Sequence, residues 1–423
     1  MSSRSVRLLL LLACAGAACS LPEGPEPLTF SGSALGTEGT LVRSQLARFE
    51  ERHPGVRVEL RVTPDAADQR HQLYVQWLNA RVRHPDVLQL DVIWTAEFAA
   101  AGWIMSLDDA LPDVGDFLPA ALAAAQWNGG LYAAPWFVDV GLLYWRTDLL
   151  PEAPRSLPEL GDAARHAVST GAVPFGLVWQ GARYEGLVTV FLEHLGAFGG
   201  RILAPDGRVT VDEPAAVRAL TFMRDALGPR GFVPPSALTW QEEQVRFAFQ
   251  NGDAMFMRNW PYAWTLLADS ARSRVAGRYS IAPFPSAAGG EITAALGGAQ
   301  LAVNAHSANP SLARDLVAFL TAPEQMLERA RFVSQLPARQ SLYEAPALAD
   351  ALPLPLDQVR AALAAARPRP VTPVYSELSE ILQVHLHRAL SGQETPATAL
   401  RDAAAEIRML LARSGLAAPG TAP

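Results

Sequence analysis

The chain contains 423 residues, of which 50% are hydrophobic and 18% are charged, and its formal net charge is −7 at pH 7. This length predicts two or three folding units, and the hydrophobic fraction is sufficient to bury their cores, which excludes disorder for most of the chain. Every basic residue is an arginine, and the acidic balance of the chain argues against a nucleic-acid partner.

The first residues are typical of a secretory signal. Met1–Arg7 carries two arginines, and a leucine run and several small residues follow it. We predict a signal peptide over residues 1–18 and a lipid-anchor linker over residues 19–27, with lipidation at Cys19. Two alternatives stay open, namely lipidation at Cys14 and a secretory signal without lipidation.

The sequence beyond the signal has no apolar run approaching the ~18 residues that a membrane-spanning helix needs. Export therefore predicts a lipid-anchored protein in the periplasm or on the outer face of the cytoplasmic membrane. Both cysteines precede residue 20, so the rest of the chain has no thiolate for a disulfide or a metal site.

After the linker, apolar periodicity predicts alternating strands and helices. The predicted strands are Leu28–Ser31, Val56–Val62 and Val87–Ile93, and the predicted helices between them are Gly39–His53 and Gln69–Ala80. Further helices are predicted at Pro214–Leu227, Gln241–Gln250, Pro310–Leu320, Pro323–Phe332 and Pro396–Leu411. This order indicates the α/β class, in which ligands bind at the carboxyl ends of strands, and it places Asp91 near a ligand site.

Sequence motifs for catalysis are absent. The chain has no Gly-x-Ser-x-Gly elbow, no His-Glu-x-x-His zinc helix and no Gly-x-Gly-x-x-Gly fingerprint, and a Walker loop is impossible without a lysine. His385 and His387 face opposite sides of a predicted helix, which favours solvated surface over metal binding. The pairs Asp108-Asp109 and Glu242-Glu243 are interpreted as helix caps or solvated faces. We therefore expect neither an enzyme, nor a cofactor, nor a metal.

Aromatic residues alternate with single carboxylates and arginines in several loops. These segments are Asp91–Trp94, Pro135–Asp139, Trp179-Gln180, Tyr184–Gly186 and Arg258–Tyr262. A sugar ring has an apolar face of C–H groups and a rim of hydroxyls, so this mixture of flat rings and charged hydrogen-bonding groups suits a carbohydrate. The competing interpretation for each aromatic residue is packing in the core.

At these segments the sequence resembles the extracellular solute-binding proteins (family 1) of carbohydrate ABC transporters, and within them the trehalose/maltose-binding group. The resemblance runs from about Glu38 to Leu411. The stretches that carry it are Arg48–Gly55, Pro85–Trp94, Ala101–Asp109, Pro135–Leu150, Phe256–Trp264, Leu296–Gly298 and Pro368–Tyr375.

The resemblance implies a two-lobed α/β fold of the periplasmic-binding-protein type. Each lobe is expected to be a mainly parallel sheet flanked by helices, and hinge segments join the lobes. The N-terminal lobe would comprise residues 28–137 with 286–336, and the C-terminal lobe residues 138–285 with 337–415, followed by a tail over 416–423. We expect a monomer.

The resemblance also implies the ligand-binding residues. Hydroxyl-binding positions correspond to Glu38, Asp91, Asp139 and Arg369, and the aromatic platform corresponds to Trp260 and Tyr262. Weaker correspondences are Asp65, Glu185, Gly297 and Gly298. The chain departs from its relatives at Ala299, where they carry a tryptophan directly after Leu-Gly-Gly, and the lost stacking surface leaves the sugar's identity in doubt.

The function implied by the resemblance is capture of a disaccharide between the lobes and its delivery to the permease of an ABC importer. Trehalose is expected ahead of maltose. Two alternatives stay open at this point, a secreted glycoside hydrolase and a sugar sensor without transport.

Overall fold

The computed structural model describes residues 27–34, 37–228, 231–287 and 292–417. The predicted signal peptide and both candidate lipidation sites, Cys14 and Cys19, lie outside this part of the chain. In the described part, no helix is both long enough and apolar enough to cross a bilayer.

The strands of the described residues are numbered β1 to β13 in chain order. They are β1 (Leu28–Gly32), β2 (Val58–Val62), β3 (Val87–Asp91), β4 (Gln126–Trp127), β5 (Gly130–Leu131), β6 (Ala134–Val140), β7 (Leu142–Arg146), β8 (Phe175–Val178), β9 (Ala254–Asn259), β10 (Tyr279–Pro283), β11 (Ala294–Val303), β12 (Leu336–Pro337) and β13 (Ala366–Arg367).

The helices are numbered α1 to α16 in the same way. They are α1 (Glu38–Arg52), α2 (Ala67–Asn79), α3 (Thr95–Ala100), α4 (Pro119–Ala124), α5 (Leu157–Ser169), α6 (Glu185–Ala197), α7 (Pro214–Leu227), α8 (Glu242–Gln250), α9 (Ala263–Ala268), α10 (Pro310–Leu320), α11 (Pro323–Val333), α12 (Gln340–Glu344), α13 (Pro346–Ala351), α14 (Leu356–Ala364), α15 (Tyr375–Leu390) and α16 (Pro396–Arg413).

The predicted strands and helices all form, and their ends differ from the predictions by at most two residues. Helices α7 and α10 begin and end as predicted. The starts of α7, α10, α11 and α16 were predictable because each has a proline in its first turn, where the missing N–H is not needed and the fixed φ suits a helix.

The larger sheet has the order β12-β6-β11-β3-β1-β2, with β13 pairing the start of β11. Strand β1 runs parallel to β2 and β3, but β11 runs antiparallel to both β3 and β6. The prediction of a mainly parallel sheet is therefore wrong here. Strand β6 ends, and β11 begins, where the chain crosses between the two sheets. The two neighbouring strands therefore run in opposite directions.

The smaller sheet has the order β10-β7-β9-β8, and it is also mixed. Strand β7 is antiparallel to β10 and β9, whereas β8 and β9 are parallel. Strand β7 begins and β10 ends where the chain passes between the sheets. The carboxyl ends of β8, β9 and β10 therefore point toward the carboxyl ends of β1, β2, β3 and β6.

The buried hydrophobic residues form three clusters, of which two are each centred on one lobe and the third, which includes Val140 of β6 and Tyr144 of β7, joins residues of both sheets. The first lobe is the larger sheet with α1, α2, α3 and α10, and the second lobe is the smaller sheet with α5, α6, α7, α15 and α16. The chain passes from the first to the second lobe at Gly141, between β6 and β7. The two-lobed α/β fold is thus as predicted, while the division at 137/138, 285/286 and 336/337 stays a prediction.

Candidate ligand-binding site

The ten predicted ligand-binding residues line one cavity of about 320 Å³ between the two lobes. The first lobe contributes its part from the ends of parallel strands and from the start of α1, and the second lobe from α6, α8 and the loop after β9. The ten residues are Glu38, Asp65, Asp91, Asp139, Glu185, Trp260, Tyr262, Gly297, Gly298 and Arg369. The volume lies near the lower end of the range of about 300–1,000 Å³ for small-molecule sites.

Glu38 is the first residue of α1, and only 3% of it is exposed. Its carboxylate accepts hydrogen bonds from Ser33 Oγ at 2.9 Å, from Gln335 Nε2 at 3.2 Å and from the buried Arg329 guanidinium. A carboxylate with this many donors is held in one orientation. Glu38 therefore presents a fixed acceptor to the cavity.

Arg369 bridges the two lobes at the bottom of the cavity. Its Nη2 donates to Asp91 Oδ1 at 2.9 Å, at the end of β3, and its Nη1 donates to Glu185 Oε1 at 2.8 Å, at the start of α6. Burial lowers the pKa of Arg369, but the two carboxylates outweigh burial and raise it. Arg369 thus stays charged and holds both carboxylates in place.

Asp139 lies near the end of β6 and is the carboxylate with the most unusual electrostatics. Burial, together with the nearby carboxylates of Glu38 and Asp91, raises the pKa of Asp139 from 3.8 to about 7, although Arg329 and Arg258 oppose this. Its Oδ1 has no hydrogen-bond partner among the described residues. A ligand hydroxyl that donates to this oxygen would satisfy it.

Hydrogen bonds hold the two aromatic residues of the cavity, Trp260 and Tyr262, in place. The Trp260 carbonyl accepts from Tyr144 Oη at 2.8 Å, and Tyr262 Oη donates to Glu243 Oε1 at 2.8 Å. A Cβ on Gly297 would stand 3.2 Å from the Trp260 ring, so the indole lies against the Gly297 backbone. Ala299, directly after the glycine pair, contributes a buried methyl group to the cavity wall.

Gly298 permits a close approach of two strands. Its φ is +118°, and a Cβ there would lie 2.3 Å from the Phe137 carbonyl oxygen on β6. A side chain at this position would push β11 away from β6. The glycine pair therefore shapes the cavity wall by its backbone.

Three aromatic residues of the candidate segments lie in the cores, and the interpretation of one carboxylate pair is wrong. Trp94, Trp136 and Trp179, which belong to the candidate sugar-binding segments, are at most 2% exposed and pack in the cores. Glu242 and Glu243 are more than caps or solvated residues, since both line the cavity. Their position at the start of a helix was predicted, but the contacts of Glu242 with Trp260 and of Glu243 with Tyr262 were not.

The interpretation of His385 as solvated surface is also wrong. His385 is 5% exposed, because α15 packs against α16, and its Nε2 lies 3.0 Å from Glu406 Oε1. Its neighbour His387 contacts the Leu238 carbonyl oxygen at 3.1 Å through Nε2. The described residues contain no group of three or more histidine, cysteine, aspartate or glutamate side chains that would hold a metal ion.

Sequence reasoning missed polar residues that the fold brings to the cavity. They include Arg70, Gln89, Gln241 and Gln335. None of these four belongs to the segments in which aromatic and charged residues alternate, and each reaches the cavity only through the packing of the helix or strand that contains or adjoins it. Gln335, for example, hydrogen-bonds Glu38 across a separation of 297 residues.

The lobes also touch beside the cavity. The Asp68 carboxylate on α2 accepts from the Glu185 backbone N–H at 3.1 Å, and Ser376 Oγ on α15 donates to Glu97 Oε2 at 2.7 Å. Both contacts join the first lobe to the second. The structure therefore represents a closed arrangement of the cleft.

The chemistry of the cavity is that of hydrogen-bond acceptors around an aromatic platform. Among the described residues that line it, seven are carboxylates and two are arginines. Acceptors in such excess suit a ligand rich in hydroxyl donors, and they repel phosphate or carboxylate ligands.

Comparison with known proteins gives a consistent result. The family model of bacterial extracellular solute-binding proteins matches residues 33–327. A probable ABC transporter-binding protein of Deinococcus radiodurans is 36% identical over 362 residues, which cover 82% of this chain and 85% of the relative.

Solved structures with the same fold include two proteins with sugar-like ligands. Maltose-bound MalE3 of T. maritima is 39% identical and has a TM-score of 0.86, covering 91% of this chain and 100% of that one. The GacH receptor of Streptomyces glaucescens, solved unliganded and with acarbose, is 27% identical and has a TM-score of 0.83, covering 91% and 98%. The chain therefore belongs to the family of bacterial extracellular solute-binding proteins, and it is a binding protein rather than an enzyme.

Proposed function

We propose that this protein is the sugar-binding component of an ABC importer, and that it captures a glucose disaccharide of the trehalose or maltose type in the cavity between its lobes. The observation that carries the proposal is the convergence of the ten predicted residues on one cavity, in which carboxylates face an aromatic platform. The similarity to maltose-bound MalE3 supports the choice of sugar.

The ligand is held in two ways. The hydroxyls donate to Glu38, Asp65, Asp91, Asp139 and Glu185, whose ionised forms make charge-assisted hydrogen bonds. The apolar face of one ring stacks on Trp260, with Tyr262 beside it. At Ala299 no second stacking surface is present, so the other ring depends more on hydrogen bonds.

Closure completes the site. Asp91 and Asp139 belong to the first lobe, while Glu185 and Trp260 belong to the second, so a ligand contacts both lobes only when the cleft is closed. These additional contacts supply the free energy that shifts the protein to the closed state. The closed protein then delivers the sugar, chemically unchanged, to the permease.

The proposal includes export and anchoring. A signal peptide over 1–18 and lipidation at Cys19 would hold a monomer at the outer face of the cytoplasmic membrane, where the permease lies. No cofactor or metal has a role in this scheme.

A thermal-shift panel on the signal-free protein tests the proposal. Trehalose and maltose are expected to raise the melting temperature, because a ligand at about 100 Kd adds about 2.7 kcal/mol of stability. Glucose 1-phosphate is expected to give no shift, since the cavity is rich in carboxylates. Stabilisation by a sugar phosphate and by no neutral disaccharide would overturn the proposal.

A further inference from the structure

A buried ion pair lies behind the aromatic platform, outside the cavity lining. Glu193 on α6 and Arg258 on β9 are both completely buried. Arg258 donates through Nε to Glu193 Oε2 at 2.8 Å and through Nη2 to Glu193 Oε1 at 2.5 Å. A two-bond pair of this kind fixes the plane and the position of both groups.

The pair is joined to the place where the chain crosses between the lobes. Glu193 Oε1 also accepts from the Ala295 backbone N–H at 3.2 Å, and Ala295 in turn accepts from the Gly141 backbone N–H at 3.2 Å. Gly141 is the residue between β6 and β7, and Ala295 lies at the start of β11. Glu193 therefore contacts one inter-lobe crossing directly and a second one through a single residue.

Gly141 has no space for a side chain because of this pair. A Cβ at this position would lie 1.7 Å from Glu193 Oε1 and 2.6 Å from Arg258 Nη2. The value of φ at Gly141 is outside the left-handed region, so the backbone itself does not require glycine. The closely packed ion pair accounts for the glycine.

The same pair supports the platform. The Arg258 guanidinium carbon lies 3.9 Å from the centre of the Trp260 ring. This distance is typical of a cation–π contact, in which a flat guanidinium stacks on the indole. The position of Trp260 is thus tied through Arg258 and Glu193 to two of the crossings between the lobes.

We propose that Glu193 and Arg258 are positioning residues that couple the crossing segments at Gly141 and Ala295 to the orientation of Trp260. Rotation of the lobes about these segments moves Glu193, and Arg258 transmits the movement to the indole. Ligand affinity therefore depends on two residues that do not line the cavity. This inference rests on the proposed function of Trp260 as the stacking platform.

The test compares Gly141→Ala with Gly115→Ala. The first substitution forces Glu193 and Arg258 apart, whereas a Cβ on Gly115 meets nothing within 4 Å and φ there is likewise outside the left-handed region. We expect Gly141→Ala to weaken binding of maltose or trehalose about tenfold, a size usual for residues in contact. Gly115→Ala is expected to bind as the unaltered protein does.

A second readout does not require a sugar. In protein labelled with fluorotryptophan, the ¹⁹F resonance of Trp260 is assigned by its loss in Trp260→Phe. We expect this resonance to shift in Gly141→Ala and to stay in place in Gly115→Ala. If the unaltered protein binds no disaccharide, the proposed function fails, but the ¹⁹F comparison still tests the coupling.

Glu193→Gln provides a variant of nearly the same shape in case Gly141→Ala does not fold. It keeps the acceptor for Ala295 but removes the charge that holds Arg258. The proposal predicts a shifted Trp260 resonance and weaker sugar binding for this variant. An unshifted resonance and unchanged affinity in the variants that fold would overturn it.

Discussion

At the scale of single residues, Asp139 is the group whose chemistry depends most on its surroundings. It is buried beside two other carboxylates, Glu38 and Asp91, and this raises its pKa to about 7. The native state therefore holds a proton on Asp139 at a pH where an exposed aspartate has lost it. A hydroxyl ligand that donates to Asp139 favours the ionised form.

This protonation predicts a pH dependence of stability. Between pH 3.8 and about 7 the native state binds more protons at Asp139 than the unfolded chain does, so this residue makes stability fall as the pH rises. Between pH 5 and pH 8 we expect the free energy of unfolding of the unaltered protein to fall by a few kcal/mol relative to that of Asp139→Asn. Urea unfolding without ligand measures this difference.

The matched control is Asp108→Asn. Asp108 lies on the surface, and its hydrogen bond from the Leu131 backbone lowers its pKa. This substitution is expected to leave the pH dependence above pH 5 unaltered. Parallel curves for Asp139→Asn and the unaltered protein would show that Asp139 titrates normally.

Trp260 gives a second prediction at this scale. Trp260→Ala is expected to weaken sugar binding by a factor of about 2 to 10, since aromatic contacts contribute about 0.5–1.5 kcal/mol beyond burial. Trp127→Ala, a partly buried tryptophan in the β4–β5 hairpin, should leave affinity unchanged. Calorimetric titration compares the two, and equal losses would assign Trp260 to packing alone.

Residue identities were predictable from the sequence where a motif carries them, and not elsewhere. The Arg258–Tyr262 run places its aromatic residues beside the cavity as expected. Trp136 and Asp139 stand in one equally suggestive run, yet only Asp139 lines the cavity, because alternate residues of β6 face opposite sides of the sheet. Composition alone does not distinguish those sides.

At the scale of elements, the start of α6 shows how the lobes are held together. The side chain of its N-cap residue, Tyr184, accepts no hydrogen bond from the backbone N–H groups of the first turn. The Asp68 carboxylate on α2 of the other lobe takes that place, accepting from the Glu185 N–H at 3.1 Å. A helix of the second lobe is therefore capped by the first, and we expect opening of the cleft to break this bond.

Asp68 tests the closure at this contact. Asp68→Ala is expected to weaken sugar binding about fivefold, because an N-cap contributes about 1 kcal/mol and this one is made only in the closed form. Asp68 itself is not among the residues that line the cavity. Calorimetry and thermal melting of the ligand-free protein together measure the effect.

Ser156→Ala is the control for capping as such. Ser156 caps α5 within one lobe, with its Oγ accepting from the Glu159 N–H at 3.3 Å. This variant is expected to lose a similar amount of stability without losing affinity. If Asp68→Ala binds as tightly as Ser156→Ala, the contact across the cleft does not assist closure.

The elements were more predictable than their arrangement. Proline positions and apolar periodicity located helices such as α7 and α10 to the residue, since both signals are local. The direction of β11 was not predictable in this way. It follows from the return of the chain through the crossing between the lobes, which no local pattern records.

At the scale of the whole molecule, the cavity exists only between the two lobes. Strands of both sheets end toward it, so Asp91, Asp139 and Trp260 meet although they belong to three separate parts of the chain. The bridge of Arg369 to Asp91 and Glu185 adds a charged contact across the lobes. Ligand contacts and lobe contacts therefore form together.

This arrangement predicts compaction on binding. Small-angle X-ray scattering of the signal-free protein is expected to give a smaller radius of gyration with saturating disaccharide than without it, because the ligand shifts the population toward the closed form. The control is the same measurement with glucose 1-phosphate in place of the disaccharide. An unchanged radius despite tight binding would show that the ligand enters a cleft that is already closed.

The most direct measurement is calorimetric titration of the purified, signal-free protein with trehalose and with maltose, followed by analysis of the recovered sugar. We predict saturable one-to-one binding of at least one of them, with a Kd in the micromolar range or tighter, which corresponds to about −8 kcal/mol, and recovery of the intact disaccharide. Absence of binding by both sugars at millimolar concentration, or release of glucose, would contradict it.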